Sequence, residues 1–373
     1  MDKLNICNIF IVFASLFFCG CTEKQEPVMT PWGTELKQDA DPADDGNDSQ
    51  YSVDELQQNG EMIALTITGP DTYYDYHGHG LGVQYMMCED FASHIGVSLR
   101  VEVCRDTTEM INKLLKGEGD IIALPLSRHV KGAAKLRFCG AANPKTHAGW
   151  AVAAGNTSLA DSVNAWYKPD MLGKTQAREN YLLSAASIRR HVYALYIDRS
   201  RGILSSYDAF FKRYAPEAGL DWHILAAQCY QESCYDPHAQ SWAGASGLMQ
   251  LMPQTAYRMG VPDGMIFDPE QNIAAGARYM GHLMAKLSDI PNHEDRVCFA
   301  LASYNGGLGH VRDAQALARK YGGNPNQWSS VSQYILMLSN PAYYQDEVVK
   351  YGYMRGSETV NYVNSIRSRY GRF

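Results

Sequence analysis

The sequence predicts a fold of mixed class, in which an α/β lobe precedes an all-α domain. Between residues 61 and 125 the apolar residues follow strand and helix patterns in turn, whereas from residue 178 onward they recur at helical spacing. An acidic segment with almost nothing apolar to bury precedes both. We therefore expect four regions: a targeting segment at 1–20, a flexible tether at 21–59, the α/β lobe at 60–200 and the helical domain at 201–373.

The first twenty residues have the pattern of an export signal. Lys3 precedes an apolar run at 9–18, which is too short to span a bilayer. The pair Gly20-Cys21 resembles a lipobox, the site where bacterial lipoproteins are cleaved and the new N-terminal cysteine is acylated. A plain secretory signal and an uncleaved anchor remain the alternatives. In each case we expect the body of the protein outside the cytoplasm.

The net charge of the chain is concentrated in the tether. Residues 35–55 carry eight acidic side chains and one lysine, a net charge of −7 that equals the formal charge of the whole chain. Such a run is typical of a solvated linker. The sequence contains no basic patch interleaved with aromatic residues, so we exclude nucleic acid as a partner.

The cysteines and histidines show no metal-binding spacing. The six cysteines beyond Cys21 form neither a CxxC pair nor a His/Cys motif, so disulfides and buried free thiols both remain possible. His77 and His79 lack a third ligand nearby, and the glycines around them predict a loop. We expect no metal and no other cofactor.

The lobe begins with alternating strands and helices. Residues 62–67 and 99–103 read as strands, and a helix is expected at 81–94. Thr107 or Thr108 could cap a second helix that ends at Gly117, before a strand at 121–124. This βαβαβ order predicts a parallel sheet covered by helices.

In the second half, polar residues mark helix ends. Asp221 precedes a helix that starts at Trp222, and Asp268 followed by a proline predicts a helix that runs to Leu287. A helix from Val297 should stop at the Asn-Gly-Gly sequence 305–307. We expect a compact domain of five or more helices.

Glu232 lies at the end of the helix that starts at Trp222. It follows Leu225 and Cys229 at i, i+4, i+7 spacing, so it projects from the same face as the apolar residues. Loss of hydration on such a face raises the pKa of a carboxyl, and a glutamate that stays protonated near neutral pH can act as a general acid. Spacing alone favours the alternative, a solvated glutamate at a helix end.

Three further segments change that balance. The stretch 232–256, ESCYDPHAQSWAGASGLMQLMPQTA, resembles the goose-type lysozyme and lytic murein transglycosylase family, as do ASYNGGLGHV at 302–311 and SETVNYVNSI at 357–366. The resemblance covers roughly residues 205–373. It implies a lysozyme-like helical domain that acts on peptidoglycan glycan strands.

The resemblance also assigns roles to residues. Glu232 would be the sole catalytic acid and base, cleaving without water to give a 1,6-anhydro product. The supporting residues would line the saccharide groove: Ser241, Met249, Gln250, Tyr304, Asn305, Glu358 and Tyr362. For Ser241 a bond to local backbone, for Met249 core packing and for Glu358 a structural salt bridge remain alternatives. A lysozyme-like hydrolase and a non-catalytic wall-binding or solute-binding lipoprotein are the alternative functions.

The lobe resembles the first lobe of periplasmic solute-binding proteins. Residues 80–103 and 110–123 carry this resemblance, but we expect that the second lobe that would follow residue 144 is missing, and with it the ligand cleft. A lipid anchor, such a lobe and such a helical domain together resemble the membrane-bound lytic murein transglycosylase F group. Control by a ligand is in doubt here. The implied partners are glycan strands and a membrane, by default the outer membrane facing the periplasm.

Overall fold

The computed structural model describes residues 50–140, 148–190 and 202–372. The predicted signal, Cys21 and most of the tether lie outside these residues. From Ser49 onward the chain forms one compact unit, so the lobe and the helical domain pack against each other. Among the described helices, none combines the length and apolar character needed to span a bilayer.

Strands and helices alternate in the lobe as the sequence predicts. The strands of the described residues, numbered in chain order, are β1 (Glu61–Thr66), β2 (Tyr74–Tyr76), β3 (His79–Leu81), β4 (Ser98–Val103), β5 (Ile121–Leu126), β6 (Leu136–Cys139) and β7 (Gly149–Ala153). The helices of the lobe are α1 (Val53–Asn59), α2 (Val83–His94), α3 (Thr107–Leu115), α4 (Thr157–Trp166) and α5 (Met171–Leu182).

The main sheet has the order β4-β1-β5-β7-β6. Strand β1 runs parallel to β4 and β5, which confirms the predicted parallel unit, whereas β7 is antiparallel to β5 and β6. Only nine residues, 140–148, separate β6 from β7. This connection is far too short for a lobe of about a hundred residues, and β7 returns directly to the sheet between β5 and β6.

Two local predictions for the lobe need correction. The last seven residues of the predicted tether form α1, because Ser52 and Glu55 make a capping box and Leu56 is fully buried in the lobe. Helix α3 is capped by Asp106, not by Thr107 or Thr108, since its carboxylate accepts the backbone N–H of Glu109.

The predicted loop around His77 and His79 is a β-hairpin. Strands β2 and β3 pair with Tyr74 opposite Leu81 and Tyr76 opposite His79. His77 and Gly78 form the two-residue turn with φ values of +53° and +81°, as in a type I′ turn. The Asp75 carboxylate accepts the Gly78 N–H at 3.0 Å, which fixes the turn. The loop prediction is wrong because this local hydrogen bond supports a turn that glycine content alone did not specify.

The second half is helical throughout, as predicted. Its helices are α6 (Asp208–Tyr214), α7 (Trp222–Ser233), α8 (Pro253–Arg258), α9 (Pro269–Lys286), α10 (His293–Gly306), α11 (Leu308–Lys320), α12 (Trp328–Met337), α13 (Pro341–Tyr344) and α14 (Gly356–Tyr370). Asp221 and Asp268 cap α7 and α9, which confirms both predicted starts. Helix α10 begins four residues before the expected Val297, because Asn292 caps it.

Helices α7, α10 and α14 come together around the site. A Cβ on Gly306 would lie 2.6 Å from the hydroxyl oxygen of Thr359, so glycine allows the end of α10 to approach α14 closely. Phe299 and Val363 are fully buried in the core between these helices. The cysteines of the described residues are free thiols; all are buried except Cys234, which is half-buried. These three helices therefore form a packed apolar core beneath the candidate site.

Candidate active site

A cleft of about 1010 Å³ contains the carboxyl group of Glu232. Its walls come from the end of α7, the loop 241–252, the end of α10, the first turns of α14, the hairpin β2–β3 and the segment 182–190. Leu225 and Cys229 are fully buried on the face of α7 that also carries Glu232. The expected helical spacing thus places this carboxylate at the junction of an apolar core and an open groove.

The environment of Glu232 favours the neutral acid. Burial raises the pKa of Glu232 to about 8, and the negative charge of Glu358 acts in the same direction. A hydrogen bond works against this, because the Tyr362 hydroxyl donates to Oε1 of Glu232 at 2.5 Å and stabilises the carboxylate. The effect of burial on the pKa is the larger one, so Glu232 is protonated near neutral pH. The Tyr362 hydroxyl remains in place to donate to the carboxylate once the proton has left.

Gln228 is a residue of this site that the sequence analysis missed. It lies one turn before Glu232 on α7 and is fully buried. Burial raises the pKa of Tyr362 well above its usual value, while the nearby Gln228 amide lowers it. Among the described residues no partner of that amide meets full hydrogen-bond geometry, although the amide lies close enough to Tyr362 to affect its pKa. The i, i+4 relation to Glu232 is a signal that could have identified it.

Asn272 on α9 stabilises the loop that follows α7 by hydrogen bonds to its backbone. The Oδ1 atom of Asn272 accepts the Met249 N–H at 2.7 Å, and its amide nitrogen donates to the carbonyl groups of Ser246 and Ile266. Asn272 has no exposed surface. This side chain was not singled out from the sequence, because nothing local marks its contacts with Met249 and Ser246, which lie more than twenty residues away. It fixes the backbone on which Gln250 is carried.

Met249 and Gln250 have different environments. The Met249 side chain is fully buried in the core and does not line the cleft, although its carbonyl oxygen accepts the Tyr304 hydroxyl at 2.7 Å. Gln250 lines the cleft at φ +45° and donates to the carbonyl groups of Ala239 and Gly247. Such a backbone conformation is uncommon for a side-chain-bearing residue and is often found at functional sites.

The other expected residues also line the cleft. Tyr304 lies near Glu232, whose charge adds to burial in raising the pKa of Tyr304 well above its usual value. Ser241 accepts the backbone N–H of Ala245, and Asn305 accepts the hydroxyl of Thr359. Six of the seven expected groove residues thus share the cleft with Glu232, and Met249 contributes only its backbone.

Glu358 is the second carboxylate near Glu232. Its Oε1 accepts the Tyr76 hydroxyl at 2.8 Å, and Oε2 lies 3.6 Å from Nε of Arg355. Both oxygens therefore have a partner. Among the described residues, no group of three or more His, Cys, Asp or Glu side chains is arranged to hold a metal ion. The chemistry that this cleft supports is proton transfer by Glu232.

The arrangement defines a class: a lysozyme-like helical domain with one desolvated glutamate in a groove. Residues 209–327 match the family model of the Transglycosylase SLT domain. Glu358 and Tyr362 lie beyond the matched residues. The α/β lobe lies outside the match as well.

Two curated relatives and one solved structure are similar to this chain in sequence. A membrane-bound lytic murein transglycosylase F from Desulfosudis oleivorans is 35% identical over 74% of this chain and 61% of its own length. Another from Saccharophagus degradans is 28% identical over 85% of this chain and 82% of its own length. A solved lytic transglycosylase Slt from Pseudomonas aeruginosa is 26% identical over 45% of this chain and 24% of that one, with a TM-score of 0.33. The chain thus spans about three fifths of the Desulfosudis relative.

The support of the loop by Asn272 can be tested by mutation. Asn272→Ala leaves the Met249 N–H and two carbonyl groups without their partners, so we expect a loss of roughly 3 kcal/mol in the free energy of unfolding. Urea denaturation measures it. The control is Asn292→Ala, which removes a single capping bond and should cost about 1 kcal/mol. Equal losses in the two variants would contradict a special role for Asn272.

The raised pKa of Glu232 makes stability depend on pH. The folded state retains the Glu232 proton between the usual pKa of 4.5 and about 8, whereas the unfolded chain releases it. Stability contributed by this group therefore declines as the pH rises through that window. We expect Glu232→Gln to be more stable than the wild type at pH 8, by roughly 2 kcal/mol, and nearly equal at pH 4.5.

Thermal melting at pH 4.5, 6.5 and 8 measures this difference. Glu217→Gln is the matched control, because Glu217 is exposed on the same domain. Its melting temperature should follow that of the wild type at every pH. A stability difference for Glu232→Gln that does not grow with pH would show that the carboxyl is not desolvated in the folded state.

Proposed function

We propose that this chain is a lytic transglycosylase that cleaves the β1,4 bond between N-acetylmuramic acid and N-acetylglucosamine in peptidoglycan. The observation that carries the proposal is a single carboxyl group, Glu232, kept protonated by burial in a groove wide enough for a glycan strand. The match to the Transglycosylase SLT domain and the names of the relatives support the same substrate class.

The first step is general acid catalysis. Glu232 donates its proton to the glycosidic oxygen as the bond between that oxygen and C1 of the muramic acid breaks, and the N-acetylglucosamine part leaves as an alcohol. The developing positive charge at C1 is stabilised by the N-acetyl oxygen of the same sugar. The Tyr362 hydroxyl stabilises the carboxylate that Glu232 becomes.

The second step restores the acid. The Glu232 carboxylate accepts the proton of the C6 hydroxyl, and the C6 oxygen bonds to C1 to close the 1,6-anhydro ring. The enzyme regains its proton and no water is consumed. One titratable group therefore serves both steps, because burial favours the protonated acid and the Tyr362 hydroxyl stabilises the carboxylate.

The alternative function is a lysozyme-like hydrolase, and Glu358 is the observation in its favour. Hydrolysis usually requires a second carboxylate to activate water or to attack C1. Glu358 lines the same cleft, but its two oxygens are occupied by Tyr76 and Arg355. These contacts favour a structural role for Glu358 and hence the anhydro product.

Digestion of purified peptidoglycan tests the reaction. We expect Glu232→Gln to reduce turnover at least about 100-fold, because the amide keeps the shape of the side chain but donates no acidic proton. The exposed control Glu217→Gln should retain wild-type turnover. Mass spectrometry of wild-type products should show anhydro ends, whereas products heavier by one water would establish the hydrolase. Undiminished turnover by Glu232→Gln would reject the assignment of the acid.

The membrane attachment is part of the proposal. We propose that Cys21, which lies outside the described residues, carries lipid and that the acidic tether separates the enzyme from the outer membrane. In cells that make the full chain, Cys21→Ser should move the protein from the membrane fraction to the soluble fraction and abolish labelling with a fatty acid analogue. Retention of the label in the variant would contradict acylation at this residue.

A further inference from the structure

The hairpin β2–β3 of the α/β lobe lies in the cleft of the helical domain. Tyr74, Asp75, Tyr76 and His77 line the same cavity as Glu232, although they precede it by more than 150 residues. The hairpin belongs to no element of the lysozyme-like domain, and residues 209–327 of the family match do not include it. The cleft is therefore shared between the two parts of the chain.

Contacts made by Tyr76 and His79 attach the hairpin to the helical domain. The Tyr76 hydroxyl donates to Glu358 at 2.8 Å, and the Tyr76 ring stacks on Trp242 with 6.0 Å between centroids and 7° between planes. Nε2 of His79 lies 2.9 Å from the carbonyl oxygen of Ala243. These contacts fall on both sides of the cleft, on α14 and on the loop after α7.

The hairpin is rigid enough to act as part of a binding surface. Its two-residue turn is fixed by the bond from Gly78 to Asp75, and its base is buried because Tyr74 is 4% exposed and donates to Glu179. The ring of Tyr353 packs edge-on against Tyr74 at 5.0 Å. A preorganised surface loses little entropy when a ligand binds.

Glu358 connects the hairpin to the catalytic acid. The negative charge of Glu358 helps to raise the pKa of Glu232. The orientation of Glu358 is set by Tyr76 from the lobe and by Arg355 from the start of α14. With a partner for each oxygen, the Glu358 side chain is held at the wall of the cleft. Loss of the Tyr76 hydroxyl would free one oxygen to turn into the groove.

We propose that the hairpin β2–β3 is a wall of the glycan-binding groove, and that Tyr76 is a positioning residue that holds Glu358 and Trp242 in place for the sugar chain. This inference rests on the proposed function, because it assigns part of the substrate site to the lobe. About 1010 Å³ of groove remains beside the hairpin, so it borders the site and does not fill it.

Steady-state kinetics on soluble, uncrosslinked glycan strands test whether the hairpin β2–β3 forms a wall of the groove. Tyr76→Phe removes only the hydroxyl, and we expect KM to rise about fivefold with kcat within about twofold. Tyr76→Ala also removes the ring that stacks on Trp242 and should raise KM further. The control is Tyr85→Phe, which removes a hydroxyl bonded to Glu89 on the same lobe but outside the groove, and should leave both constants unchanged.

Two results would overturn the inference. Constants for Tyr76→Phe equal to those of the Tyr85→Phe control would show that the hydroxyl has no role in substrate binding. Faster turnover in both Tyr76 variants would show that the hairpin is a plug. Melting temperatures of all variants distinguish these effects from a loss of fold.

Binding measurements separate this inference from the proposed function. Calorimetry with the same glycan strands compares Glu232→Gln with the double variant that also carries Tyr76→Phe, and we expect about fivefold weaker binding in the double variant. A wild type without turnover would count against the proposed function, while equal binding by the two variants would count against the wall alone.

Discussion

The burial of one carboxyl group, Glu232, is the constraint on which the rest of the site depends. A glutamate at a helix end is normally solvated, and here three helices and a loop exclude much of that solvent, so that burial raises the pKa of Glu232 to about 8 although its side chain still lines the cleft. Tyr362 limits the cost of the charged form by donating a short hydrogen bond. The balance between these effects matters more than either one, because a fully stabilised carboxylate would not be an acid and an unsupported one could not act as a base.

The elements around Glu232 place polar partners by long-range contacts within an apolar core. Asn272 on α9 holds the backbone of the loop at 246–249, and the Tyr304 hydroxyl on α10 binds the carbonyl of Met249. The Tyr304 hydroxyl proton is therefore donated to Met249 and not to Glu232. The contribution of Asn272 and Tyr304 is to fix the loop that carries Gln250 and so to keep the groove in one shape before substrate arrives.

How far the sequence predicts this molecule depends on the range of the interactions. Caps such as Asp221 and the face of α7 that carries Glu232 follow from neighbours within seven residues, and they were predicted correctly. The turn at His77 was missed because its hydrogen bond to Asp75 has no periodic signal. The contact of Tyr76 with Glu358 spans 282 residues, so no local pattern could indicate it. The resemblance to a known family named groove residues but not their partners in the lobe.

The shared cleft gives the α/β lobe a packing partner within the same chain. A solute-binding lobe normally closes against a second lobe, and the nine residues between β6 and β7 leave no space for one. If the lobe had no role beside the helical domain, its surface toward α14 would be expected to be polar and loosely packed. Instead Tyr74, Tyr76 and Tyr353 belong to one apolar cluster, in which Tyr74 donates to Glu179 and Tyr76 donates to Glu358. The helical domain is thus the packing partner of the lobe, and the groove gains a wall from this contact.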